Sequence, residues 1–294
     1  MMTRRTVLRG VLTAASGIGL MPHQALALQR RGGSAALPDS TLALARFLNR
    51  TRYADLPLKT IEHSKMILAS TLASAAPGSL IDSARILRQL AKNRGGKTES
   101  TVWFDDARLP SAAAARVNAA LSDASASDDS DIRNTAHYGT TLTSAGLAVA
   151  ERTGASGQDL LGAMVIGYEA TGRIGNARRN GRGGLHASQL VGFGGAVATA
   201  KLLKLSDEQM AHALGIVATT MGGLAIGTNS WAREYMGANA AGSAVDAAEA
   251  AAGGYTVNED MLAARGGFVD VFGGGSDAVP LLTVDFGKQW DMAD

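Results

Sequence analysis

Residues 156–173 read SGQDLLGAMVIGYEATGR, and this stretch decides the predicted fold. Ser156 and Asp159 have the spacing of a capping box, in which two side chains satisfy free amides at the start of a helix. The apolar residues that follow recur on one helical face, at Leu161, Met164, Val165 and Tyr168. The stretch therefore predicts a helix that presents an apolar face to a core.

Helix signals recur along the chain, whereas strand signals are scarce. Three further helix starts are Pro57, which suits a first turn, the capping-box pair Ser206 and Gln209, and the pair Thr256 and Glu259. The best strand candidate is residues 100–104, STVWF, which is too short to build a sheet on. We therefore predict an all-α fold. Abundant Ala and Gly in residues 191–200 and 238–253 would let its helices approach closely.

The glycine string at residues 192–196, GFGGA, superficially resembles a dinucleotide-binding fingerprint. That fingerprint requires a strand before the glycines and a helix that opens on them. Here the segment from His186 to Leu203 has the pattern of a single helix. We therefore predict that these glycines serve helix packing and bind no nucleotide.

The first 27 residues have the layout of an export signal. Arg4 and Arg5 form a twin-arginine pair, a weakly apolar stretch covers residues 10–21, and the Ala-Leu-Ala of residues 25–27 matches a cleavage site. An amphipathic leader with chance arginines is the alternative interpretation. The signal predicts a mature chain that starts at Leu28 and reaches the periplasm already folded.

Charge and cysteine content argue against several classes of protein. The chain has 28 basic and 26 acidic residues, and loss of Arg4, Arg5 and Arg9 with the signal leaves 25 basic ones. A near-neutral mature chain without basic runs argues against nucleic acid as a partner. No apolar run after the signal is long enough to span a bilayer, so we expect no membrane association after export. Because the chain has no cysteine, disulfides, thiolate nucleophiles and cysteine metal sites are excluded.

Ionisable groups gather in three segments of this largely apolar chain. Residues 128–139 read DDSDIRNTAHYG, residues 167–186 begin with GYEATGR and end with GLH, and residues 230–237 read SWAREYMG. Each segment mixes glycine with acids, bases or histidine. These residue types are the ones that a proton-transfer or carboxylate-binding site needs.

In their order and approximate spacing these segments resemble the MmgE/PrpD family, whose members include 2-methylcitrate dehydratase, cis-aconitate decarboxylase and iminodisuccinate epimerase. Further matching pieces are YADLP at residues 53–57, RLP at residues 108–110, ARVNAA at residues 115–120, AAG at residues 240–242 and GGYT at residues 253–256. The resemblance runs from about Leu42 to the last residues.

The resemblance implies a large helical domain at residues 28–274. Residues 275–294 are then expected to be a truncated link toward an α+β lid domain, which is absent from this sequence. Members of the family resemble one another in forming homodimers through the helical domain, so a homodimer is expected here. A separate chain that carries the lid domain is a further possible partner.

The family's reactions remove or deliver a proton next to a carboxylate of a small di- or tricarboxylic acid. They imply no metal and no organic cofactor. The implied function is a hydro-lyase similar to 2-methylcitrate dehydratase, with decarboxylation and epimerisation left open. The alternatives are a non-catalytic carboxylate-binding or scaffold protein, or a subunit that borrows its lid from a second chain.

Two histidines and an acidic element match the family's site. The resemblance implies that His137 and His186 transfer protons or bind carboxylates, and that Asp128, Asp129 and Ser130 orient the substrate. From the residues alone, the alternatives are a surface-loop histidine for His137 and a solvated turn and helix cap for Asp128, Asp129 and Ser130. A divalent metal on the acids and histidine of this segment is a further interpretation, although the spacing of a calcium loop is absent.

Two positions in the third segment depart from the family pattern. Arg233 stands where the family commonly has lysine; it can still bind a substrate carboxylate, but its guanidinium stays protonated and cannot donate a proton. Met236 stands where the family commonly has histidine, and it is expected to pack as an ordinary apolar residue. The second departure weakens the catalytic analogy most.

Other ionisable residues are assigned structural roles. Glu169 and Arg173 are four residues apart on the predicted helix and are expected to form a structural ion pair. His63 and His212 have no convergent polar neighbours in the sequence, so they are expected to be structural or exposed. His23 leaves with the predicted signal.

Overall fold

The computed structural model describes residues 39–178 and 184–293, and the predicted export signal lies outside the described residues. The helices in chain order are α1 Ser40–Arg50, α2 Leu58–Gly78, α3 Asp82–Arg94, α4 Ser111–Ala124, α5 Tyr138–Thr153, α6 Gly157–Arg178, α7 Val191–Leu202, α8 Asp207–Ala218, α9 Ala232–Ala252 and α10 Phe268–Phe272. Short 3-10 turns cover Tyr53–Asp55, Ala187–Gln189, Ala225–Asn229, Gly275–Leu282 and Asp291–Ala293. The all-α prediction is confirmed.

The strand candidate at residues 100–104 forms a much shorter strand than its pattern indicates. Strand β1, Ser100–Thr101, pairs antiparallel with β2, Arg108–Leu109, in a two-stranded sheet. Among the described helices, none is long and apolar enough to cross a bilayer.

Two of the predicted capping boxes form as expected. The Ser156 hydroxyl accepts a hydrogen bond from the Asp159 amide at 3.2 Å, and Asp159 Oδ2 accepts one from the Ser156 amide at 3.0 Å, so α6 begins at Gly157. The Ser206 and Gln209 side chains cap α8 in the same way. Helix α2 starts directly after Pro57.

The third capping box, at Thr256, is a wrong prediction. Residues 253–267 form turns and bends, and the next helix starts only at Phe268. The cause is tertiary contact: the Asp260 carboxylate, which would belong to the first helical turn, accepts hydrogen bonds from the amide and hydroxyl of Thr41 in α1. These contacts replace the local helix.

The predicted packing role of the glycine string is visible where α6 and α7 cross. Gly194 lies in the middle of α7 rather than at its start, and the backbone of Gly167 in α6 lies directly against it. A Cβ atom added at Gly167 would lie 2.5 Å from the Gly194 carbonyl oxygen, which is far inside van der Waals contact. The two helices therefore touch through their backbones, and only glycine permits this approach.

We expect Gly194→Ala to lower the free energy of unfolding by about 1–3 kcal/mol, because the added methyl would overlap the rigid backbone of α6. Urea denaturation measures the change. Gly157→Ala is the matched control, since a Cβ atom at this first position of α6 has no neighbour within 4 Å. A Gly194→Ala loss no larger than that of the control would contradict the backbone contact.

The predicted structural pair of Glu169 and Arg173 is confirmed and anchors a distant part of the chain. Arg173 Nε donates to Glu169 Oε1 at 2.7 Å, and both side chains are buried. Arg173 Nη1 donates to the Val284 carbonyl at 2.6 Å. Its guanidinium also lies over the rings of Phe47 and Phe286, which stack on each other with centroids 4.2 Å apart. Helix α6 thus ties α1 to the segment after α10.

Helix packing brings the ionisable segments together. Helix α9 packs along both α4 and α7, and α5 packs against α4 and α7. Helix α4 ends four residues before Asp128, α5 starts just after His137, and α9 starts just before Arg233. The end of one helix and the beginnings of two others therefore surround the same region.

Candidate functional site

The segment between α4 and α5 folds back on itself. The amide of Asp131 donates to the Ala136 carbonyl at 2.8 Å, and the return bond is 3.3 Å long. The Asn134 amide donates to Asp131 Oδ1 at 2.7 Å, and Thr135 takes a left-handed backbone with φ of 54°. This closed loop places Asp128 and Asp129 beside His137.

His137 is held by this loop with part of its ring open to solvent. Its Nδ1 lies 2.7 Å from the Asp129 carbonyl oxygen and 3.2 Å from Asp128 Oδ1, while its side chain is 30% exposed. The contact with the Asp128 carboxylate raises the pKa of His137 to about 9, although burial opposes the shift. The ring is therefore an imidazolium at neutral pH, with Nδ1 directed into the loop.

Asp128 is the buried counter-ion of that imidazolium. Its side chain has no exposed surface, and Asp128 Oδ2 accepts hydrogen bonds from the hydroxyls of Ser122 and Thr140. Burial by itself raises the pKa of Asp128, but His137 and the two hydroxyls lower it further than burial raises it. Asp128 therefore stays ionised and fixes the protonated form of His137.

Asp129 caps α5 but is not solvated, so the helix-cap interpretation holds only in part. Asp129 Oδ1 accepts the Gly139 amide at 2.8 Å, while Asp129 Oδ2 is buried and has no partner among the described residues. Burial first, and then the charge of Asp128, raise the pKa of Asp129 to about 7. Ser130 is exposed and borders a cleft of about 490 Å³, which Asp129, Arg133 and Asp291 also line.

Arg233, at the start of α9, is held by the end of α4. Arg233 Nη2 donates to the Asp123 carbonyl at 2.7 Å, and Arg233 Nε lies 3.6 Å from Asp123 Oδ1. A second carboxylate oxygen, Glu234 Oε1, lies 3.8 Å from Arg233 Nη2. The Arg233 side chain as a whole remains 22% exposed, although its Nε is buried.

Asp123 is a site residue that sequence reasoning missed. Its side chain is 2% exposed, and burial raises its pKa to about 6, with Arg233 opposing the shift and Asp128 adding to it. A signal was present, because Asp123 follows the buried run Ala119, Ala120 and Leu121 and so places an acid on an apolar helix.

His186 faces the same region from the 3-10 turn before α7. Its Nδ1 accepts the Ser188 amide at 3.2 Å, and its own amide donates to the Gly223 carbonyl at 2.9 Å. Burial lowers the pKa of His186, and the nearby positive charges of Arg233 and His137 lower it further. His186 is therefore neutral at pH 7, and because Nδ1 accepts, its proton resides on Nε2.

Of the six predicted site residues, the structure brings Asp128, Asp129 and His137 into direct contact. His186 lies close enough to His137 and Arg233 for their positive charges to lower its pKa. Ser130 is exposed and lines the cleft of about 490 Å³ together with Asp129. Met236 is buried, and its side chain lies against Gly223 and Gly227 as an ordinary apolar residue would.

The remaining histidines contact backbone groups. His63 Nδ1 lies 2.7 Å from the Met292 carbonyl oxygen, and His212 Nδ1 accepts the Val257 amide at 3.4 Å.

Within residues 39–178 and 184–293, no group of three or more acidic or histidine side chains is arranged to hold a metal ion. The site thus offers one imidazolium, one neutral imidazole and one guanidinium to a ligand.

Comparison with known proteins gives consistent relatives. A cis-aconitate decarboxylase-like protein from Aspergillus oryzae is 26% identical over 272 residues, which are 86% of this chain and 56% of that protein. Cis-aconitate decarboxylase from Homo sapiens is 28% identical over 240 residues, which are 79% of this chain and 50% of that protein. The chain thus spans about half the length of these curated relatives.

The family comparison covers most of the helical domain described above. The MmgE/PrpD N-terminal domain matches residues 42–280, from the first turn of α1 to the 3-10 turn after α10. This chain is a member of the MmgE/PrpD family.

Proposed function

We propose that this chain carries the proton-transfer and carboxylate-binding residues of a lyase that acts on a small di- or tricarboxylic acid without a metal. One observation carries the proposal: the Asp128 carboxylate, 3.2 Å from His137 Nδ1, raises the pKa of His137, whereas burial and the charges of Arg233 and His137 lower the pKa of His186. Pairs of titratable groups with opposed shifts mark different proton-transfer roles in one site.

His137 is the proton donor in this proposal. Its Nδ1 is engaged by the loop, so its Nε2 proton is the one available to a substrate. Because Asp128 keeps the ring protonated up to about pH 9, His137 is poised as an acid rather than as a base at neutral pH.

His186 and Arg233 bind the substrate's carboxylates. Neutral His186 presents Nε2–H as a hydrogen-bond donor, and its Nδ1 is not available as a base because it accepts the Ser188 amide. Arg233 supplies a fixed positive charge through its partly exposed side chain. Together they orient a polycarboxylate beside His137.

The most clearly assigned proton-transfer group of the site is the acid His137, and this supports decarboxylation ahead of dehydration, in which a carboxylate such as that of Asp129, with a pKa of about 7, would have to act as the base. In decarboxylation the bond between carbon and one carboxylate breaks, carbon dioxide leaves, and the electron pair stays on the substrate carbon until His137 delivers its proton there. Dehydration also requires a base to remove a proton from carbon. The names of the relatives, cis-aconitate decarboxylases, agree with the first reaction.

Dehydration, which the resemblance favoured, remains the second candidate reaction. Export to the periplasm, a homodimer and a separate lid-domain chain are further parts of this proposal. A carboxylate-binding role without turnover is the alternative function, and it is favoured by Met236, which places a buried apolar side chain where the family commonly has a histidine.

The test uses the purified chain from Leu28 onward with cis-aconitate, citrate and 2-methylcitrate as probes. Proton NMR of the reaction mixture separates the reactions, since decarboxylation adds one carbon-bound proton and dehydration creates a new double bond. We expect thermal stabilisation by the acids and turnover of at least one. Stabilisation without turnover would support the binding alternative, and neither effect with any acid would contradict the proposal.

A further inference from the structure

Negative charge is in excess around Arg233. Among the described residues, four carboxylates, those of Asp123, Asp128, Asp129 and Glu234, accompany the cations Arg233 and His137, and Arg178 is a third cation, near His186. A site that binds a polyanion would bind it more tightly if positive charge were in excess. The surplus acid therefore calls for an explanation beyond the roles given to Asp128 and Asp129.

Asp123 is the surplus acid that lies closest to Arg233. Its main-chain carbonyl accepts Arg233 Nη2 at 2.7 Å, which is enough to position the guanidinium. Its carboxylate lies 3.6 Å from Arg233 Nε, and neither carboxylate oxygen has a hydrogen-bond partner within the described part of the chain. The Asp123 carboxylate therefore interacts with Arg233 through its charge and forms no hydrogen bond with it.

We propose that Asp123 is an internal counter-ion of Arg233 and competes with the substrate carboxylate for that guanidinium. The inference rests on the proposed function, because it assumes that Arg233 binds a carboxylate. A buried charge with one imperfect partner is unstable, so its proton equilibrium responds to any second anion that approaches. Substrate binding and protonation of Asp123 are therefore linked.

The linkage has a definite sign. Asp123 has a pKa of about 6, so it is ionised at pH 7.5 and largely protonated at pH 5.5. A substrate carboxylate on Arg233 raises that pKa further, so binding takes up a proton and becomes tighter as the pH falls. Arg233 and His137 oppose protonation of Asp123, whereas Asp128 and Glu234 favour it.

Other groups at the site also respond to pH. His186 faces Arg233, and Asp129 faces Asp128, so each adds its own proton uptake when an anion binds. The wild-type profile alone therefore does not isolate Asp123. The difference between the wild type and an Asp123→Asn variant does, since asparagine keeps the shape and the main-chain carbonyl but cannot ionise.

The experiment is isothermal titration calorimetry of cis-aconitate binding at pH 7.5 in two buffers of different ionisation enthalpy, using the chain from Leu28. We expect Asp123→Asn to bind about fivefold more tightly than the wild type or better, because a negative charge close to the ligand is removed. We also expect it to take up fewer protons per ligand. Thermal unfolding of the variant checks that it is folded.

Asp246→Asn is the matched control. It removes the same charge from α9 but lies 13 residues beyond Arg233, which is about 20 Å along the helix. We expect its affinity for cis-aconitate to match that of the wild type. Equal tightening in both variants would reduce the effect to net charge and would overturn the assignment of Asp123.

The possible outcomes distinguish a failure of the counter-ion role of Asp123 from a failure of the proposed function. If the wild type binds and Asp123→Asn changes neither affinity nor proton uptake, the counter-ion role is wrong and the proposed function stands. If neither protein binds any acid, the proposed function is wrong, and the counter-ion role of Asp123, which depends on it, is wrong as well. If Asp123→Asn does not fold, Asp123→Ser, which also cannot ionise, takes its place in the same titration with the same expected and contradicting results.

Discussion

Replacing His137 with glutamine is expected to lower kcat by about 100-fold or more while substrate affinity changes only a few-fold, because positioned general acids contribute roughly 10²–10⁴-fold. Glutamine can still donate a hydrogen bond to the Asp129 carbonyl, so the loop keeps one of its contacts. It has no proton to transfer. The His137→Gln variant is therefore expected to lose turnover while it retains substrate binding.

The pH dependence of the wild type gives an independent check on the role of His137. Because the pKa of His137 is about 9, kcat/KM is expected to fall about tenfold per pH unit above that pH as the acid form of His137 is lost. His212→Gln, in α8, is the control variant and should keep both rate and profile. Loss of binding in parallel with loss of turnover would contradict the assignment of His137 as the acid.

Asp129→Asn is expected to stabilise the fold at alkaline pH by about 2–4 kcal/mol. The pKa of Asp129 rises from 3.8 in the unfolded chain to about 7 in the folded one, so the native state prefers the protonated form. The stabilisation that Asp129 gives the folded state is complete below pH 3.8, which is its pKa in the unfolded chain. This stabilisation is lost as the pH rises through about 7. Asparagine removes this loss and keeps an oxygen for the Gly139 amide.

Urea denaturation at pH 4, 6 and 8 tests the change at Asp129. The variant should match the wild type near pH 4 and exceed it by a growing margin up to about pH 7, with a constant margin above that. Asp277→Asn, at an exposed position, is the control. A margin that is the same at all three pH values would show that Asp129 does not titrate as proposed.

The fold was largely predictable because its signals are local. Three helix starts depend on contacts within one helical turn, namely the capping boxes at Ser156 and Ser206 and the proline at the start of α2. They can therefore be recognised from neighbouring residues in the sequence. Thr256 has the same local signal but forms no helix, because Asp260 bonds to Thr41, more than 200 residues earlier. No local pattern reveals that such a partner exists.

The site was less predictable because its chemistry depends on which groups lose solvent. The segment around His137 was found from its residue types, but the sequence does not show that His137 and His186 take opposite charge states. That difference comes from Asp128 beside one ring and burial around the other. Asp123 was missed for the same reason, since its importance lies in a contact with Arg233, 110 residues further along.

The stacked rings of Phe47 and Phe286 also set an order of events during protein synthesis. Arg173 lies over both rings, so a nascent chain that has produced only α1 to α6 can pair Arg173 with Glu169 and Phe47 but leaves Phe47 without its stacking partner. The stack closes only after residue 286 has been synthesised. Until then the uncovered ring adds to the apolar surface through which incomplete chains self-associate.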